Sequence, residues 1–127
     1  MRFDAQNEAG RDMNATGQTD AFDMAMRALA HPFRRNVLQW LADPDVYFTG
    51  AEYAAFRAVS AGMLHARSGL SQSTASGHLA QLEKAGLIRS KKVGQWVFFS
   101  RNEVAIRELA EWFSADVARI VETPHLK

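Results

Sequence analysis

The chain contains no cysteine among its 127 residues. That absence rules out disulfide staples, thiolate metal sites and thiol redox sensing together. It also lacks any run of 18 or more apolar residues, so no segment has the length and apolarity of a spanning helix. The first twenty residues hold no apolar core of the signal-peptide kind. They are rich in Asp, Asn, Gly and Thr, so residues 1–19 are expected to form a flexible arm. A cytoplasmic protein without membrane association is the expectation that follows. No glycine-rich phosphate loop is present, and no acid accompanies the serines and His78 in a nucleophile–base arrangement. The chain is therefore not expected to be an enzyme.

What is present points to one packed domain over residues 20–122, followed by a short tail at 123–127. Hydrophobic residues make up 47% of the chain, with eight Phe and three Trp, enough for a single core. Net charge is only +1, but it is unevenly spread. Residues 60–101 carry Arg67, Lys84, Arg89, Lys91, Lys92 and Arg101 against Glu83 alone, while the segments on either side are net acidic. A basic middle between acidic flanks is what a local anion-binding surface needs; chance clustering in a short segment is the alternative.

Hydrophobic spacing divides the chain into helices. Phe22, Met26 and Leu29 recur at helical intervals behind a capping Asp20. Pro32 suits the first turn of a second helix reaching Ala42, with His31 as its cap, and Asp43-Pro44 ends it. Residues 45–60 read as a loop and a short helix. Ala61 to Arg67 and Gln72 to Ala85 form two helices joined at Ser68-Gly69-Leu70, the second capped by Ser71. The period then changes to two. Leu87 to Lys91 and Gln95 to Ser100 read as a two-stranded antiparallel hairpin around Lys92-Val93-Gly94. Asn102 caps a last helix whose stripe is Ile106, Leu109, Phe113, Val117 and Ile120. The fold class is mainly α, with about five to six helices and a small β wing.

Two helices meeting at a glycine turn form a helix-turn-helix. The outer positions of the second helix carry short hydroxyls and amides: Ser71, Gln72, Ser73, Thr74, Ser76 and Gly77, with His78 and Gln81 nearer the edge. Gln bonds adenine bidentately, Ser and Thr reach several base edges, and small side chains let the helix approach a groove. A serine-rich helix start is also an ordinary solvated cap. Here it lies inside a helix pair and ahead of a basic hairpin, and that order favours double-stranded DNA as partner. Arg89, Lys91, Lys92, Gly94 and Gln95 of the hairpin are the candidate backbone contacts, since phosphate contacts position a protein without reading sequence. The alternative function is a winged-helix protein-interaction module that does not read DNA.

Residues 28–38, ALAHPFRRNVL, resemble the opening of ArsR-type bacterial repressors. Residues 70–79, LSQSTASGHL, are similar to the recognition helix of that family, and residues 84–88, KAGLI, resemble its junction into the wing. The resemblance covers about residues 20–121. It implies a winged helix-turn-helix repressor, a homodimer joined through its first and last helices, and release of DNA by an effector. The corresponding positions are Phe22, Met26, Leu29, Ile106, Leu109, Trp112, Phe113, Val117 and Ile120. This chain departs from members that sense metals through cysteine. Its last helix offers Glu108, Glu111, Asp116 and Glu122 but no His before His125, a poor zinc set. No metal and no cofactor are expected. Tyr47, Phe48, Tyr53 and Phe56, with Trp40 and Trp112, either line an apolar ligand pocket or serve as core and interface, the commoner role of aromatic clusters.

Overall fold

The computed structural model describes residues 11–118. Helix α1 (Arg11–Ala28) begins ahead of Asp20, so the first helix is longer than the apolar spacing alone predicts. It is followed by α2 (Pro32–Ala42), α3 (Pro44–Tyr47), α4 (Ala51–Phe56), β1 (Val59–Ser60), α5 (Ala61–Ser68), α6 (Gln72–Lys84), β2 (Ile88–Val93), β3 (Trp96–Arg101) and α7 (Glu103–Trp112). The last helix continues as a π-helical turn over Phe113–Ala118. The α stripe expected to run unbroken to Ile120 therefore changes pitch after Trp112, and Ile120 and the tail lie outside the described residues. The described helices outnumber the five to six expected, because Pro44 starts a helical turn where a loop was predicted.

Local chemistry accounts for most boundaries. The His31 side chain accepts from the Phe33 amide at 3.1 Å, with Pro32 at the first helical position where its missing N–H is harmless. Ser71 accepts from the Thr74 amide at 3.2 Å, and Asn102 from the Ala105 amide at 3.2 Å. Each cap satisfies an N–H that the helix leaves without an internal partner.

The sheet is three-stranded and antiparallel, in the order β1-β3-β2. The expected two-stranded wing thus gains a third strand, Val59-Ser60, paired with Phe99 and Phe98. The β2–β3 ladder runs from Ile88↔Arg101 to Val93↔Trp96. Lys92 and Val93 are therefore ladder residues and not part of the turn, which is Gly94-Gln95, with Gly94 at φ 61°.

The core sits where α1, α2, α5, α6 and the base of the sheet converge. Leu64, Leu82, Leu87 and Val37 are fully buried within it. Burying a side chain of this size stabilises by roughly 1.5–3 kcal/mol. From α6, Ala75, Leu79 and Leu82 face inward. That stripe fixes the roll of α6 about its axis, and hence which side chains it shows to solvent.

Candidate nucleic-acid interface

α5 and α6 are joined by a turn in which Gly69 takes φ 72°, a left-handed conformation that suits glycine. Ser68 stiffens this turn: its hydroxyl donates to the His65 carbonyl at 2.7 Å and accepts from the Leu70 amide at 2.9 Å. Beyond it, α6 exposes Gln72, Ser73, Ser76 and Gly77, on the face opposite Ala75, Leu79 and Leu82. Ala80 is also exposed, one turn beyond Ser76, and extends this small-residue face. The α6 periodicity places Ala80 on this face, but an alanine has no polar chemistry to mark it in the sequence.

The other expected residues of the recognition helix are placed differently. Ser71 and Thr74 are exposed but bonded to each other, hydroxyl to hydroxyl at 2.9 Å, with Ser71 committed to its cap. Gln81 is exposed near α1, beside a shallow cleft that also includes Met24 and Arg27. His78 turns away from the open face. It is half-buried against α2, its Nδ1 accepts from Arg34 Nε at 3.0 Å, and its ring lies 4.1 Å from His31 and 5.4 Å from Phe33. Burial, reinforced by the charges of His31 and Arg34, holds the His78 pKa below its ordinary value. The Arg34 bond requires an unprotonated Nδ1, so the neutral ring carries its proton on Nε2. Sequence separation hid this histidine pair, which links the end of the α1–α2 turn to the middle of α6. Among the described residues no group of three metal-ligating side chains converges.

The wing divides its cations between two faces. Adjacent strand residues point to opposite sides. Lys92 shares a side with Ser90, whose hydroxyl donates to Glu83 of α6 at 2.6 Å. Arg89 and Lys91 share the other side, and Arg89 donates to Asn102 Oδ1 at 3.3 Å. Arg89, Lys91, Lys92, Gly94 and Gln95 are all exposed. Two other members of the basic middle are structural. Arg101 pairs with Glu103 at 2.9 Å and donates to the Leu38 carbonyl at 3.0 Å. Arg67 lies over the Trp40 and Tyr47 rings at 4.9 and 5.1 Å. The positive surface beside α6 is thus narrower than the composition suggests, and it centres on the wing.

Between them, α1 and α7 leave an apolar groove of about 610 Å³ lined by Met26, Leu29, Ile106, Leu109 and Phe113. Phe22 and Leu109 are mostly spent on the chain's own core, at 8% and 9% exposure, and Trp112 stacks on Phe22. Leu29 and Ile106 are half-buried, whereas Met26, Phe113 and Val117 remain 38%, 40% and 48% exposed. The predicted stripe is therefore divided, with its inner residues in the core and its outer ones open. Of the aromatic residues left open by the sequence, Tyr47, Phe48 and Tyr53 line a pocket, while Phe56 lies outside it, its ring tilted against Trp96 and Phe98 at 5.0 and 5.4 Å.

Comparison with known proteins agrees with this geometry. A family model described as bacterial regulatory protein, arsR family, matches residues 64–90, which cover the second part of α5, all of α6 and the start of the wing. An uncharacterized HTH-type transcriptional regulator of Bacillus subtilis (strain 168), YbzH, is 31% identical over 93 residues, covering 72% of this chain and 93% of that protein. Among solved structures, an ArsR-like transcriptional regulator from Rhodococcus sp. RHA1 is similar at a TM-score of 0.61, with 22% identity over 81% of this chain and 85% of that one. The homodimeric winged helix-turn-helix DNA-binding domain of a possible ArsR-family regulator from Mycobacterium bovis is similar at a TM-score of 0.57, with 21% identity over 82% of this chain and 86% of that one. No described helix is long and apolar enough to cross a membrane.

Proposed function

The chain belongs to the ArsR family of bacterial regulatory proteins, and from that premise we propose that it is a cytoplasmic, non-catalytic transcription regulator that grips double-stranded DNA as a homodimer and represses until an effector releases it. The observation that carries the reading is the pairing of an α6 face made of Gln72, Ser73, Ser76 and Gly77 with the exposed wing cations Arg89, Lys91 and Lys92. The small polar face fits a major groove and supplies base-edge partners. The wing supplies sequence-independent phosphate attraction. His78, engaged with Arg34, is left out of the contact set and orients α6 against α2.

The α1–α7 groove supports the dimer. A second copy brought to it by a two-fold axis covers Met26 and Phe113, and it sets two α6 helices about 34 Å apart, one turn of DNA. The test is selection from a randomised duplex pool by the purified full chain. Enrichment of a two-fold palindrome with steep salt dependence is expected. Weak binding without enrichment would leave the fold standing but sink the repressor reading, and a protein-interaction module would take its place.

A further inference from the structure

Between α4 and the helix-turn-helix lies a pocket of about 390 Å³, walled by Tyr47, Phe48, Tyr53 and Met63 and edged by Glu52 and Arg67. Small-molecule sites have volumes of roughly 300–1,000 Å³ and combine apolar walls with a few placed polar groups. Phe48 and Tyr53 are themselves buried, so these walls are set by core packing. The Arg67 guanidinium lies over three rings, at 4.9 Å from Trp40, 5.1 Å from Tyr47 and 5.9 Å from Phe48. One of its N–H groups donates to the Tyr47 carbonyl at 3.0 Å.

Among the described residues no carboxylate pairs with this guanidinium. The pocket's own acid, Glu52, accepts from the Ser60 hydroxyl at 2.8 Å. The nearby Asp45 is taken by Arg57 at 3.3 Å and by the Tyr53 hydroxyl at 2.6 Å. A guanidinium fixed by rings, with N–H donors to spare, presents a planar fork that matches a carboxylate. We propose that this pocket is the regulator's effector site and takes a small planar aromatic carboxylate, with its ring among Tyr47, Phe48 and Tyr53 and its carboxylate on Arg67.

The effector role rests on the DNA-binding reading above. Met63, Ala66 and Arg67 belong to α5, the helix that packs beside α6. Glu52 holds Ser60, and Ser60 caps α5 by accepting from the Met63 amide at 3.2 Å. An occupant of the pocket therefore touches both the body of α5 and the residue that holds its cap. By linkage, whatever factor the ligand imposes on DNA affinity, DNA imposes on ligand affinity.

The experiment has two arms. In the first, amide NMR spectra of the full chain without DNA are followed during millimolar titrations of benzoate, phenylacetate and naphthoate, with naphthamide as the neutral control. At least one carboxylate should give saturable shifts at residues 50–53 and 63–67, binding roughly tenfold more tightly than the amide, as a charge-assisted fork implies. Arg67→Gln should erase that preference. Ala66→Trp, which fills the pocket and keeps the charge, should abolish binding. The assignment is overturned if no carboxylate shifts these amides, if the shifts map to the α1–α7 groove, or if a folded Arg67→Gln keeps the preference. In the second arm, affinity for a selected duplex is measured with and without saturating carboxylate, and a change of about fivefold or more is expected. An unchanged affinity sinks the effector role. A chain that binds no duplex sinks the regulator reading and the effector role with it, while the first arm still decides the pocket.

Discussion

Removing the Lys92 ammonium tests the electrostatic half of the interface. Lys92 lies on the strand side shared with Ser90, and Ser90 is bonded to Glu83 of α6, so its charge is on the recognition-helix side of the wing. Arg89, Lys91 and Lys92 are the exposed wing cations of one protomer. Counting the cations of both wing faces, a two-fold dimer presents at most about six phosphate contacts, and with a slope of about −0.9 per contact log K falls by up to about 5.4 per decade of salt. Raising salt from 50 to 200 mM then weakens binding by roughly 10³-fold. Lys92→Ala removes one contact from each protomer, so the slope falls to about −3.6 and the same change in salt costs only about 150-fold. The side chain is exposed, so fold stability should be unchanged within about 0.5 kcal/mol. Fluorescence anisotropy on one duplex across a salt series measures the slope, and thermal unfolding checks the fold. An unchanged slope in a folded, dimeric variant would refute the placement of the wing against phosphate.

Three further outcomes follow from the same geometry. Gln72→Ala should change base preference in a selection experiment, whereas Lys91→Ala should weaken all sequences alike; equal losses on every duplex for Gln72→Ala would remove it from base reading. Leu82→Ala opens a fully buried site beneath α6 and should cost about 2–5 kcal/mol in denaturant unfolding, with a loss below about 1 kcal/mol contradicting the packing described. Burial and the neighbouring His31 and Arg34 charges lower the His78 pKa in the fold, so below its ordinary value of 6.5 the unfolded chain binds the proton more readily than the folded one. Stability is then lost as pH falls through the window below about 6.5, and His78→Asn should flatten that loss relative to wild type; identical pH profiles would show that His78 is not so buried.

Features governed by neighbours in sequence were legible in it. Ser71, Asn102 and Pro32 mark helix starts because a cap acts across three residues, and the Leu79–Leu82 stripe sets the α6 face because its period is that of the helix. Gly94 was readable as a positive-φ position, although the turn lies one residue later than its flanking polarity suggested. Features created by tertiary contact were not legible. A two-residue strand such as Val59-Ser60 has too few positions to show alternation, and it exists only because β3 offers a free edge. His31 and His78 lie 47 positions apart, and nothing local in either predicts that their rings meet. Counting charge overstated the basic surface beside α6, since Arg101 spends its guanidinium on Glu103 and the Leu38 carbonyl, and Arg67 is turned to the Trp40 and Tyr47 rings. The outer and inner halves of the α7 stripe were likewise inseparable until α1 was seen to cover one of them.

The most direct test of the whole account is a footprint of the full chain on the duplex it selects, taken together with the binding stoichiometry. The account predicts two chains per duplex and two protected major-groove segments with centres about 10 base pairs apart, related by two-fold symmetry. A single protected segment, one chain per duplex, or protection that ignores sequence would contradict it.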